Sequence, residues 1–418
     1  MTRPADKAPQ QAAPLAPNLD APSDLGIMVG FPPPPEKRVT RANMMAPGHL
    51  RWSFMNQSRL FPTTRVSRGE EAITPFGYGQ RLDVDSLPIA FEGNDTLPMQ
   101  DFYRRSAVDA LLVVHRGEVV FERYFGDMTA STLHALFSCT KGFVGLLVEW
   151  LIQEGEIDRG AAAGTYVPEL QGTALGEATV QQLQDMQAHF DFSAFPPRVP
   201  GQVQVGYLAA LGFIDGGPDY AGPKGVYETL ATNTATVPHG GAFRYDNGST
   251  DMLGWILRRV TGKSLDQLIG DRLWSKLGAE HDASFFVDLG GTEWAAGGLS
   301  ATARDLARFG EMLRCNGMFN GTRIVPDSVI AEIGKAGDRD VFEGDPMSYP
   351  GGSYHNQWWF FHDEFDSFAA RGQFGQRLWI APTAETVIVQ FSTDPDPTGS
   401  EEPLRLAAWQ TIARALAS

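Results

Sequence analysis

The sequence predicts an α+β fold in which one antiparallel sheet is built from both ends of the chain and helices fill the middle. That class follows from two observations. Strand-like runs occur at Asp109–His115 and Glu118–Phe125, and again at Gln357–Phe361, Gln376–Ile380 and Thr386–Phe391. The segment between them is dominated by capped, apolar-periodic stretches, so a sheet interrupted by a helical insertion explains the order. The expected division is a flexible tail over 1–29 and one folded body over 30–418. Within that body the α/β part covers about 99–140 and 340–418, and the helical part about 141–339.

Taken in order, residues 1–24 are rich in Ala, Pro, Gln and Asp and contain no apolar core of a secretory signal. The proline run after Phe31 reads as extended. Trp52 to Pro98 has little helical period and is expected to wrap the surface. Arg116-Gly117 joins the first two strand runs as a hairpin. A helix then begins near Ser138 and stops at Gly155. Thr179 caps a short helix to Met186. Gln187 to Lys224 has no clear period, and long loops in compact domains usually carry function. Phe190, Phe192, Phe195 and Tyr207 are candidates to line a substrate site there, with a packing role equally open for each. Further helices are expected at Met252–Val260, Ser264–Leu277, Thr302–Leu313, Pro326–Ile333 and Pro403–Leu416, and no internal repeat is visible.

Composition narrows the function. A net charge of −16 and a pI near 4.9 argue against nucleic acid or an anionic membrane as partner. No run approaches the ~18 apolar residues of a membrane span. Cys139 and Cys315 are too few for a disulfide framework, so both are expected as free thiols in a reducing compartment, the cytoplasm. The histidines show no metal-ligand spacing, so neither a metal nor another cofactor is expected.

The chemistry concentrates at Phe137-Ser138-Cys139-Thr140-Lys141. Residues three apart share a helix face, so the Ser138 hydroxyl and the Lys141 amine can touch. A serine hydroxyl attacks only when a base takes its proton, and a lysine is a base only when burial lowers its pKa. The helix onset adds backbone N–H groups and a positive dipole end beside the serine. Ser-x-x-Lys recurs by chance in many chains. Here it occurs once, at the start of an apolar helix, where surface serines and lysines do not usually sit.

Together with Ser138-Cys139-Thr140-Lys141, the stretches Tyr245-Asp246-Asn247, Gly297-Gly298-Leu299-Ser300 and Gly375-Gln376-Arg377-Leu378-Trp379 resemble the serine β-lactamase and DD-peptidase superfamily. The resemblance is strongest to its class C-like esterases and 6-aminohexanoate-dimer hydrolases, which Asp185-Met186-Gln187 and Tyr354-His355-Asn356-Gln357-Trp358-Trp359 also resemble. It implies a β-lactamase/transpeptidase-like fold with the site between the α/β and helical parts. It implies Ser138 as nucleophile, Lys141 as base, and Tyr245 as a proton shuttle whose phenolate a cationic lysine favours. Asn247 would bond the lysine or a substrate amide. Tyr354-His355-Asn356 spells Tyr-x-Asn as well, and Tyr245 is preferred because Tyr354 lies near the later strands. The family's third motif falls at Ala370-Arg371-Gly372, where alanine replaces the usual cation. Arg371 is the candidate to stand in for it, although on a strand it would point to the opposite face. The amides of Ser138 and Gln373 would form the oxyanion hole, and Phe192, Tyr207, Tyr354, Arg371 and Gly372 would contact substrate. Ala296 replaces the histidine of the dimer hydrolases, so their substrate preference does not transfer. The expected activity is acyl-enzyme hydrolysis of a small-molecule amide or ester, with β-lactamase or DD-peptidase action and a non-catalytic sensor as rivals. Self-association as a homodimer is allowed; nucleic-acid and membrane partners are not expected.

Overall fold

The computed structural model describes residues 20–417, except 92–95, 193–204, 216–219, 236–237 and 397–398. Strands β1 (Thr63–Val66), β2 (Gly77–Tyr78), β3 (Val108–His115), β4 (Glu118–Tyr124) and β5 (His134–Ala135) precede the Lys141 helix. Strands β6 (Ala283–Phe286) and β7 (Leu299–Ala301) lie mid-chain. The last group is β8 (Ser353–His355), β9 (Trp358–Phe360), β10 (Phe368–Gly372), β11 (Gln376–Ala381) and β12 (Thr386–Ser392). The helices that position the site are α1 (Leu50–Met55), α2 (Thr140–Gln153), α3 (Gly248–Thr261), α4 (Ala303–Arg314) and α5 (Glu402–Ala417).

Both ends of the chain do build one sheet, in the order β8-β9-β10-β11-β12-β3-β4-β2, antiparallel except for the β4–β2 pair. Its centre is apolar on both faces because helices cover both. Leu378 and Val387 face α4, whereas Trp379 and Ile388 pack with Leu404 and Trp409 of α5. The register at the centre, Ile388 opposite Val113 and Val389 opposite Leu112, sets β-branched and apolar partners side by side.

A second antiparallel sheet, β1-β6-β7-β5, falls across the expected division. Residues 283–286 and 299–301 are strands within the span read as helical, and α4, from that same span, lies on the main sheet. The stretch from Trp52 to Pro98, read as irregular, contributes most of α1 and all of β1 and β2. Strands of two to four residues carry too few side chains to display a period, which is why they were illegible. The tail is likewise shorter than expected. Ile27 is buried, Ser23 donates to Asp127 through both its amide (2.8 Å) and its hydroxyl (2.5 Å), and Arg51 reaches the Asp20 carbonyl at 3.0 Å. Residues 20–29 are therefore docked, and 1–19 lie outside the described residues.

Helix α2 is buried from Thr140 to Leu151, as a helix apolar all round must be. Phe143 stacks on Phe309 of α4 at 3.9 Å between ring centroids. On its other flank, Gly145 lies against the turn between β8 and β9. A Cβ there would collide with the Asn356 carbonyl oxygen and come within 2.8 Å of Gln357 Cβ. Among the described residues no helix is long and apolar enough to cross a membrane.

Because the obstacle at Gly145 is backbone, it cannot swing away. Gly145→Ala is expected to destabilise the protein by about 1–3 kcal/mol, the usual cost of overpacking. A chemical denaturation midpoint equal to the wild type would refute the close approach.

Candidate active site

Strand β5 runs through Leu136 into a 3-10 turn, Phe137–Cys139, and then into α2. Phe137 has φ 45°, a left-handed conformation that costs a bulky residue energy and marks a turn held by its surroundings. The turn leaves Ser138 partly exposed while Lys141, one turn on, is 1% exposed. The nucleophile candidate is reachable and its partner is sealed.

Lys141 Nζ lies 2.7 Å from the Ala296 carbonyl oxygen, 2.8 Å from Asn247 Oδ1 and 3.1 Å from Ser138 Oγ. Two of these partners are carbonyl-type oxygens that can only accept. A neutral amine has two hydrogens and one lone pair. The two carbonyls take both hydrogens, and the lone pair is left for the Ser138 hydroxyl. The protonated amine, with three hydrogens, satisfies the same three partners. The cradle therefore holds lysine in either charge state. Burial pulls its pKa from 10.5 down to about 7, opposed by the charges of Asp251, Asp246 and Cys139.

Asp251 lies one turn into α3 from Asn247, fully buried. Its Oδ1 accepts the Ala296 amide at 3.0 Å, and its other oxygen accepts the Tyr207 hydroxyl, which itself accepts Trp294 Nε1–H at 2.6 Å. The segment that presents the Ala296 carbonyl to Lys141 is thus pinned by Asp251 through its own N–H. Burial raises the Asp251 pKa, with the hydrogen bond from Tyr207 and the Lys141 charge lowering it.

Tyr245 hydrogen-bonds Ser138, and Lys141 Nζ stands 5.2 Å from its ring centroid. Its pKa is raised, not lowered: desolvation outweighs the bond to Ser138 and the Arg371 charge. This corrects the expectation of a favoured phenolate. At neutral pH the residue is a phenol that can donate a proton. Its ring lies against Trp359 (5.3 Å) and edge-on to Tyr354 (6.4 Å).

The structure brings Ser138, Lys141, Tyr245 and Asn247 together, and Gly372 joins them. A Cβ on Gly372 would collide with the Leu136 carbonyl oxygen and lie 3.3 Å from the Cys139 amide nitrogen. Only glycine lets β10 lie this close to the Ser138 turn, and Gln373 is the residue that follows it. Other expectations need correction. Tyr207 does not line a cleft: it is 1% exposed within the Asp251 network. Arg371 points away, paired with Glu402 at 3.2 Å and lying over Trp359 and Tyr349, because Ala370 takes the other face of the strand. Tyr354 is buried against Phe243 and Trp359, and its hydroxyl has no hydrogen-bond partner among the described residues. Asn356 of the rival Tyr-x-Asn bonds Gln181 and Asp185 instead. The Phe192 backbone pairs with Asn233, its side chain lies outside the described residues, and so does Phe195.

Sequence reasoning missed Asp251 and the Ala296 carbonyl. The first had a signal, an acid one turn after Asn247 on a helix that then turns apolar; the second, a backbone atom, had none. Among the described residues no His, Cys, Asp and Glu cluster could hold a metal.

Comparison with known proteins adds four findings. The Beta-lactamase family model matches residues 103–413. A 6-aminohexanoate-dimer hydrolase of Paenarthrobacter ureafaciens is 34% identical over 351 residues, 84% of this chain and 86% of its own. Among solved structures, a protein of Bacillus anthracis provisionally named a 6-aminohexanoate-dimer hydrolase superposes with a TM-score of 0.85 at 34% identity, covering 92% of this chain and 98% of its own. A family VIII carboxylesterase shares the fold, with a TM-score of 0.54 at 22% identity over 72% of this chain and 92% of its own.

Fluorophosphonate labelling of Ser138 should accelerate with rising pH and reach half its maximum at about pH 7, where Lys141 loses its proton. Asp251→Asn removes a negative charge that favours the ammonium form, so the midpoint should move to lower pH. A midpoint near 10 in the wild type, read by mass spectrometry, would mean that Lys141 is not the activating base.

Proposed function

Because this chain belongs to the Beta-lactamase family and is a serine hydrolase of it, we propose that it cleaves a small amide or ester through an acyl-enzyme on Ser138. The observation that carries this reading is the Lys141 amine held between two obligate acceptors and the Ser138 hydroxyl. In the first step Lys141 takes the hydroxyl proton as Ser138 Oγ bonds to the substrate carbonyl carbon. The carbonyl oxygen becomes an oxyanion at the amides of Ser138 and Gln373, each worth about 10²–10³ in rate where such donors have been removed. Collapse of the tetrahedral species expels the leaving group. An amine leaves only when protonated, and the Tyr245 phenol, bonded to Ser138, supplies that proton and recovers one from Lys141. Water then repeats the sequence on the acyl-enzyme and releases the acid.

The relatives' names point to amides of the 6-aminohexanoate dimer type as the first substrates to try. A cytoplasmic setting is supported by two free thiols, one buried beside the nucleophile, as a reducing compartment allows.

The protein is expected to give a burst of nitrophenol from a nitrophenyl ester, with Ser138→Ala abolishing it. Tyr245→Phe should slow a linear ω-amino-acid amide by about 10²–10³ and the nitrophenyl ester far less, because nitrophenolate needs no proton to leave. Equal losses on both substrates would remove the proton-donor role. Full turnover by Ser138→Ala would remove the whole reading.

A further inference from the structure

Behind β10 lies a cluster of ionised side chains that the hydrolytic chemistry leaves unused. Glu402, the first residue of α5, receives Arg377 through Nε (3.1 Å) and Nη2, Arg371 at 3.2 Å and Arg405 at 3.6 Å; Arg405 also pairs with Asp394. All five are at least nine-tenths buried by side chain except where Glu402 stands at 11% exposure. Burying charges is costly and by itself weak evidence for stability. What distinguishes Arg377 is where its remaining hydrogens go. Nη1 donates to two backbone carbonyls, Gly372 and Gln376, both at 2.6 Å. These carbonyls bracket the 3-10 turn Gln373–Gly375, in which Phe374 holds a left-handed φ of 62°.

The Gly372 carbonyl and the Gln373 N–H belong to one planar peptide unit. A cation hydrogen-bonded to the oxygen of an amide draws electron density from its nitrogen and makes the N–H a stronger donor. It also fixes the direction in which that N–H points, at no cost during reaction. We propose that Arg377, held by Glu402, is a positioning residue that orients and polarises the Gln373 amide as an oxyanion donor. The inference rests on the oxyanion role assigned above to Gln373. Arg377 acts through the peptide and touches no reacting atom. The Gln376 side chain braces the same turn from the far side, donating to the Ser392 carbonyl at 2.6 Å and accepting the Ser392 amide at 3.1 Å.

The test compares an oxygen ester with the matching thionoester, whose sulfur accepts hydrogen bonds poorly. A working oxyanion hole favours the oxygen ester, so weakening one donor narrows that preference. Arg377→Gln should lower kcat on the ester by about tenfold, less than outright loss of a donor. The oxygen-to-sulfur ratio should contract by a similar factor, with KM and the pH midpoint for Ser138 labelling unchanged. Arg377→Lys keeps the charge but not the fork over both carbonyls, and serves where the glutamine variant does not fold. It should fall between wild type and Arg377→Gln. An unaltered ratio in a folded variant, whatever its kcat, overturns the inference and leaves the hydrolase reading intact. A Ser138→Ala enzyme that still turns over overturns that reading instead.

Discussion

Everything in the site depends on removing the Lys141 amine from water. In solvent an ammonium would hold its proton far above neutrality and Ser138 would stay an alcohol. The amine is desolvated because α2 is apolar on every side and because α3 and the segment at Ala296 close over it. Three separate parts of the chain must meet within hydrogen-bond distance of one nitrogen. Asn247 belongs to the start of α3 and Ala296 to the approach to β7; Ser138 and Lys141 come from one turn of α2 and its lead-in. That convergence ties packing to chemistry.

The same requirement explains the buried acid. A lysine driven fully neutral would be a weak base, and one left fully charged would be none. Asp251 raises the lysine pKa from a distance and accepts the Ala296 N–H, in the peptide just before the carbonyl that Lys141 uses, so one side chain both tempers the burial and anchors the acceptor's residue. Tyr207 and Trp294 extend this support deep into the helical side. On the sheet side, the Gly372 contact and the Arg377–Glu402 pair support the facing peptide. Side chains in charged or hydrogen-bonded clusters thus hold backbone groups at the reacting centre from two directions.

A large part of this was legible in the chain. Ser138 and Lys141 stand one turn apart, Tyr245-x-Asn247 keeps its own short spacing, and the long strands announce themselves by β-branched runs. What escaped notice was of a different kind. Strands of two to four residues and the docking of residues 20–29 depend on partners far away in sequence. Backbone acceptors such as Ala296 carry no side-chain signature. The sequence shows only one neighbour that acts on the Tyr245 pKa, the cation Lys141, whereas burial of the phenol, in part against Trp359, decides the direction. Tyr207 sits in a long stretch without clear period, which leaves lining and packing equally open; it lies on a short helix with its hydroxyl donated to a buried acid.

The period of two along β10 also decides which side chains the strand turns toward the Ser138 turn. Phe368 and Ala370 belong to the core on the α2 side, and Arg371 takes the alternate face. There its guanidinium lies 4.4 Å from the Trp359 ring centroid and is paired with Glu402, so turning it toward Ser138 would break an ion pair and a cation–π contact together. The side chain that β10 turns toward α2 just before Gly372 is therefore the Ala370 methyl, with no charge to offer. Since Gly372 keeps that backbone against the Ser138 turn, the strand meets the turn with peptide groups and a methyl, while its one cation there stays committed to Glu402 and Trp359, by the side to which a single residue points.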